Sequence, residues 1–121
     1  MGENKNNRKT GAKYEQIAAD YLAGCGYEII ARNYRNRYGE IDILAGRAGM
    51  LIFVEVKYRS MEDCGDPLEA VDIKKQKRIS RVALCYYAGH GYEENVPCRF
   101  DVIAVYANGK IKHVENAFDF V

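Results

Sequence analysis

The apolar positions of this chain form two helical stripes, one before and one within a series of strand-like runs. Tyr14, Ile17, Ala18, Tyr21, Leu22 and Cys25 recur at i, i+3, i+4, i+7, i+8 and i+11, which predicts one amphipathic helix ending near Gly24 and Gly26. Residues 1–10 carry no apolar side chain after Met1 and read as a flexible tail ahead of a single domain over 11–121. Three strands are predicted next. Tyr27–Arg35 is mixed, Glu40–Ala45 alternates, and Met50–Tyr58 is β-rich and apolar on both faces as far as Glu55. Gly46–Gly49 reads as a short turn, so the second and third strands should pair as an antiparallel hairpin. After a loop over Arg59–Gly65, Asp66 fits an N-cap, Pro67 the first helical position and Glu69 a capping-box acid. The helix they open should run to about Ala88, with Leu68, Val71, Ile79, Val82, Ala83 and Tyr86 inward. Phe100–Tyr106 is a strand, and Asn108-Gly109 signals a type I′ turn into Lys110–Glu115. A strand–helix–strand unit needs a crossover and therefore a parallel pair. The expected fold is α/β: an αβββαβ core, a mixed sheet flanked by helices, and a C-terminal hairpin.

Composition narrows the class. With 121 residues, 48% hydrophobic and 29% charged, the chain suits one soluble globular domain. A formal net charge of +1 excludes a generally basic nucleic-acid binder while leaving local basic patches open. No apolar run approaches the ~20 residues of a membrane span, and the polar N-terminus lacks the apolar stretch of a secretion signal, so a cytoplasmic protein without a membrane partner is expected. Cys25, Cys64, Cys85 and Cys98 show no Cys-x-x-Cys spacing, and His90 and His113 complete no zinc site. They read as reduced, mostly buried thiols. His90 reads as a loop residue and His113 as an edge residue.

The chemistry concentrates in Gly39-Glu40-Ile41-Asp42-Ile43 and Phe53-Val54-Glu55-Val56-Lys57. Glu55 and Lys57 are two apart on a strand and share a face. In the register that the turn imposes, Asp42 falls opposite Glu55, with Cβ atoms ~4.5–5.5 Å apart. Carboxylates that close repel unless a cation lies between them. One arrangement is a salt-bridged cluster of Asp42, Glu55 and Lys57. Two acids against one base, however, leave negative charge unmatched in an apolar strand. The other arrangement is therefore a cation site, and an all-oxygen set that includes the Val56 carbonyl suits Mg²⁺ or Mn²⁺.

Asp42, twelve intervening residues and Glu55-Val56-Lys57, preceded by a helix bearing Glu15, resemble the PD-(D/E)XK nuclease superfamily. More closely, Gly11–Phe118 resembles the YraN-like family of small bacterial proteins, through the Gly-Glu-Ile-Asp and Phe-Val-Glu-Val-Lys blocks, the basic helix Val71–Arg78 and Arg99-Phe100-Asp101. Ile41 stands where the motif has Pro. The resemblance implies a restriction-endonuclease-like fold and Mg²⁺-dependent cleavage of DNA, with branched DNA one candidate substrate, as in Holliday-junction resolvases; those act as dimers, so a homodimer is one arrangement. In these terms Asp42 and Glu55 hold the ion, Lys57 orients the water and stabilises charge, and Glu15 completes the outer shell or a second metal position. Glu40 is a weaker candidate.

Lys74, Lys75, Lys77, Arg78 and Arg81 place five positive charges in eight residues on the second helix. They read either as a solvated face or as phosphate contacts, with Arg59, Arg32, Arg35 and Arg37 adding charge near the site. Lys74 or Gln76 is the helix residue expected to support the site. DNA is the expected partner in preference to RNA, and the competing class is a non-catalytic nucleic-acid-binding or scaffold domain that keeps the nuclease fold. Tyr supplies ten of the fourteen aromatic residues, and these are expected mainly to pack.

Overall fold

Alternation along the strands produces a five-stranded sheet with an apolar layer on each side. The structure, a computed structural model, describes residues 2–61, 65, 67–90 and 96–121. In chain order the elements are α1 (Gly2–Gly24), β1 (Glu28–Asn36), β2 (Gly39–Arg47), β3 (Met50–Arg59), a 3₁₀ turn (Pro67–Ala70), α2 (Ile73–Gly89), β4 (Cys98–Tyr106) and β5 (Ile111–Phe118). The spatial order is β1-β2-β3-β4-β5, and only β3–β4 is parallel. The expected mixed sheet with a crossover helix and terminal hairpin is thus the fold observed.

The two helices cover opposite faces. Ala18, Ala19 and Leu22 of α1 pack with Ile43, Ala45, Ile52, Val54, Ile103 and Val105. Ile79, Val82, Ala83 and Tyr86 of α2 pack with Ile41, Leu44, Phe53, Phe100 and Val102. Burying each of these large side chains contributes roughly 1.5–3 kcal/mol, which fixes both helices on the sheet.

Several local expectations change. α1 extends upstream of its apolar stripe to Gly2; once a packed turn exists, each further residue adds a hydrogen bond without the cost of a new nucleus. The single helix expected from Pro67 is broken. Pro67–Ala70 forms only a 3₁₀ turn, and α2 is capped by Asp72, whose carboxylate accepts from Lys75 N at 2.8 Å. A short acidic side chain competing for backbone N–H groups starts a new helix. The N-cap expected at Asp66 lies outside the described residues. At β4–β5, Gly109 N donates to Tyr106 O and Gly109 has φ 86°, while Asn108 is not at positive φ. That is a type I turn closed by a left-handed glycine, in place of the expected type I′. The type I′ geometry occurs instead at Ala48 and Gly49, with φ 52° and 79°, between the paired Arg47 and Met50. The expectation of mostly buried thiols also fails: Cys25 is exposed, Cys85 and Cys98 are half-buried, and Cys64 lies outside the described residues.

His113 lies on an edge strand, yet its side chain turns inward. Asp101, 1% exposed, accepts from Arg99 Nε and Nη2 at 2.8 Å and from Asn116 N at 3.0 Å, and His113 Nε2 lies 2.6 Å from its Oδ2. The other ring nitrogen, Nδ1, is 3.1 Å from the Tyr21 hydroxyl, so the network ties β5 and β4 to α1. Burial alone would raise the Asp101 carboxyl, but the hydrogen bonds from His113, Arg99 and Asn116 outweigh it and hold it below the ordinary range. Asp101→Asn should therefore cost about 2–3 kcal/mol in urea unfolding. None of these network residues lines the cleft described next.

Candidate active site

β2 turns over at Asp42. In a regular strand Ile41 and Ile43 would share a face, but Ile41 packs in the α2 layer and Ile43 in the α1 layer. The neighbouring strand bends at the same level: Asn33 has φ 53°, and the β1–β2 pairing passes from Arg32–Ile43 to Tyr34–Ile41. The β2–β3 ladder pairs Arg47 with Met50 through Ile43 with Val54 and stops there. Beyond it the Asp42 side chain takes over the ladder's role, its Oδ2 accepting from Val56 N at 2.8 Å. An extended residue directs its N–H and C=O to the same side, so the Val56 carbonyl faces this gap as well.

Glu55 is the next residue of β3 in the same register and is 7% exposed. Its Oε1 lies 2.7 Å from Lys75 Nζ and 3.6 Å from Lys57 Nζ. Lys75, expected to reach phosphate, instead points inward and compensates Glu55. It also fills the supporting place expected of Lys74 or Gln76, since Lys74 is exposed and Gln76 Nε2 donates to Val71 O. The cap at Asp72 sets this helical phase, and the run of basic residues gave no way to read it. Arg59, the other expected phosphate contact off the helix, donates from Nη2 to Gly65 O at 3.1 Å and braces the following loop. Lys74, Lys77, Arg78 and Arg81 remain exposed along α2.

Lys75 and Lys57 stand against Glu55, while Asp42 has no ion pair among the described residues. Burial, the Glu55 charge and, more weakly, Glu15 push the Asp42 carboxyl up to about 7, against the pull of the Val56 N–H. Glu15 is also raised, by burial and by Glu40 and Glu55, with Arg32 and Asn33 opposing. Its Oε1 is buried without a hydrogen-bond partner among the described residues. Burial and the adjacent Lys75 lower Lys57. Lys75 loses to burial but gains more from Glu55, and ends raised. Glu40 lies at the cleft wall and pairs with Arg35 at 3.2 Å.

Asp42, Glu55, Lys75 and Glu40 open on a cleft of about 480 Å³ that Arg35, Arg37, Tyr38 and Arg78 also line, with Lys57 and Glu15 outside its lining. Gly39, at φ 150°, lets the β1–β2 turn pass beneath Arg78; a Cβ there would lie 3.0 Å from Arg78 Cδ. Among the described residues no three His, Cys, Asp or Glu side chains form a ready-made metal cluster. A hard cation such as Mg²⁺ needs only one or two carboxylates, with waters and substrate phosphate completing its shell. The all-oxygen donors Asp42 and Glu55, the raised Asp42 carboxyl and the partnerless Glu15 oxygen fit such an ion.

The model of "Uncharacterised protein family UPF0102" matches residues 14–105. A UPF0102 protein of Lachnoclostridium phytofermentans is 48% identical over 114 residues, covering 94% of this chain and 96% of that protein. One from Symbiobacterium thermophilum is 47% identical over 116 residues, covering 93% and 98%. Among solved structures, Pyrococcus furiosus SfsA in complex with Ca²⁺ is 19% identical, with a TM-score of 0.37, over 90% of this chain and 63% of that one.

Proposed function

The chain belongs to the UPF0102 family, within the restriction-endonuclease-like superfamily, and from that membership and the cleft geometry we propose that it is a Mg²⁺- or Mn²⁺-dependent endonuclease hydrolysing phosphodiester bonds of DNA, branched or structured DNA included. One observation carries this reading: at the point where the β2–β3 ladder opens, Asp42 and Glu55 face the same gap, with Lys57 beside them and arginines around the rim.

Asp42, Glu55 and the Val56 carbonyl would hold the ion, with Glu15 behind them. The ion, when bound, supplies Lewis acidity and lowers the pKa of the attacking water. Lys57, 3.6 Å from Glu55, donates to the water or to a phosphoryl oxygen where negative charge develops. Lys75 fixes Glu55 in place through its 2.7 Å contact. Arg78, Arg35 and Arg37 bind flanking phosphates, which positions the scissile group without reading sequence. The described residues include no separate sequence-reading module, so backbone shape is the feature the domain selects.

The second reading is a nucleic-acid-binding or scaffold domain without turnover, favoured by the fact that Glu55 already has two lysine counter-ions. A panel of linear, flapped and four-way DNA, incubated with Mg²⁺ or Mn²⁺, separates the two. The endonuclease reading expects metal-dependent cleavage of at least one substrate, abolished by a chelator and by Asp42→Asn. Binding without any cleavage, or cleavage that persists in Asp42→Asn, removes it.

A further inference from the structure

Adjoining the cleft, and sharing Arg37 and Tyr38 with it, lies a second cavity of about 370 Å³ lined by Arg37, Tyr38, Arg81, Leu84, Cys85 and Ala88. That volume is in the range of small-ligand sites, ~300–1,000 Å³. We propose that this cavity receives one unpaired nucleobase of the strand whose phosphate lies in the cleft, with Tyr38 as its stacking surface. The inference rests on the proposed nucleic-acid reading and narrows its substrate class to strands with an unpaired nucleotide beside the scissile bond.

Three observations support the assignment. First, Tyr38 and Leu84 are 38% and 58% exposed. Single exposed apolar residues need no explanation, but here two line one cavity, an aromatic ring from the β1–β2 turn and an aliphatic side chain from α2. Second, the ring is held in place before any ligand arrives. Asn36 Nδ2 donates to Val82 O on α2 at 3.1 Å, and Tyr38 N donates to Asn36 Oδ1 at 3.0 Å. Arg37 Nη2 donates to the Tyr38 hydroxyl at 2.9 Å, with the guanidinium carbon 4.9 Å from the ring centroid. A fixed ring loses little freedom when a base stacks on it. Third, the charge is arranged for a nucleotide. Arg37 and Arg81 are on the cavity wall, and Arg78 and Arg35 line the adjoining cleft. A flat π-system joined to an anion fits a floor of ring and aliphatic carbon that is continuous with a cationic groove. A base paired inside a duplex cannot enter such a cavity without leaving its stack.

The test is equilibrium binding in a chelator, so that no cleavage intervenes, read by anisotropy of a labelled single-stranded oligonucleotide made abasic at one position in turn. Base–aromatic stacking contributes ~1–3 kcal/mol, which corresponds to roughly 5- to 150-fold in affinity. One abasic position should lose that factor. Tyr38→Ala should lose a similar factor on the intact strand and nothing further on the sensitive abasic strand. Tyr38→Phe, which keeps the ring but not the Arg37 hydrogen bond, should lose less than Tyr38→Ala, and Leu84→Glu should weaken binding. Equal affinity for every abasic strand overturns the inference, as do additive losses from Tyr38→Ala and the abasic position, or a parent that binds no oligonucleotide. The abasic series needs only the parent protein, so it decides even if Tyr38→Ala does not fold. Base-dependent binding in a protein that cleaves nothing would sink the endonuclease reading alone. Cleavage with no base dependence would sink this inference alone.

Discussion

Lys57→Ala should slow DNA cleavage about 10²- to 10³-fold while changing DNA affinity by less than roughly threefold. The rate figure is the usual loss when one donor to a developing oxyanion is removed. The split between rate and affinity follows from position. Lys57 lies 3.6 Å from Glu55 and outside the cleft lining, and the arginines that would meet flanking phosphates are separate from it. A group that acts only as charge accumulates alters kcat and leaves ground-state binding nearly untouched. Lys75→Ala provides the contrast. Its amine is 2.7 Å from a Glu55 side chain that is 8% exposed, so its removal leaves a buried carboxylate short of a counter-ion. Because Lys75 is itself partly solvated, the cost should be about 1–2 kcal/mol of stability, below the full value for a dry pair. Single-turnover kinetics and urea unfolding of the two variants decide the roles. A Lys57→Ala protein that cleaves like the parent but unfolds early would make both lysines counter-ions and nothing more.

The extent to which the site could be read from sequence depends on what kind of order each part uses. The short turn between two alternating runs set the β2–β3 register as far as Ile43 with Val54, where the ladder ends; one step beyond, the position of Asp42 depends on its carboxylate accepting from Val56 N. The parallel β3–β4 pair followed from the intervening helix for topological reasons. Period-two reasoning stops working at Asp42, since it places Ile41 and Ile43 on one face and they lie in separate layers. No pattern of apolar positions records a strand turning over. The signals are a left-handed Asn33 on the neighbouring strand and a carboxylate that replaces a ladder acceptor, and both are tertiary. Lys75 escapes sequence reading for a related reason. A basic run has no apolar contrast of its own, so its phase depended on the helix start, and the Pro67 signal proved weaker than the cap at Asp72. The Asp101–His113 network joins residues twelve apart across a hairpin with a fifth-strand histidine, a pairing that composition does not reveal.

Asp42→Asn should make the metal-free protein more stable at pH 8, by about 2–3 kcal/mol, while abolishing cleavage. The native Asp42 carboxyl is pushed up to about 7 by burial and by Glu55, against an ordinary value of 3.8. Between those values the folded protein holds a proton that the unfolded chain has released. Stability must therefore fall as pH rises from about 4 to about 7, by on the order of 4 kcal/mol from this group, and level off above. The groups facing Asp42 are Glu15 from α1, Glu55 and Lys57 from β3, and Lys75 from α2. Comparing the parent with Asp42→Asn cancels their own titrations to first order. The amide oxygen that the substitution introduces can still accept from Val56 N, so the variant loses the repulsion and keeps the hydrogen bond. Thermal melts from pH 5 to 8 in a chelator should show the parent's midpoint falling and the variant's holding. Mg²⁺ or Mn²⁺ at about a hundred times its Kd should then restore about 2.7 kcal/mol to the parent at pH 8 and much less to the variant. The physical content is that the Asp42 charge is a cost to folding that the proposed cation would offset, as expected where stability is given up for a site. A parent whose midpoint holds or rises over that range, together with an Asp42→Asn protein that melts lower at every pH, would make Asp42 a structural partner of Val56 and remove the reason to put a cation there.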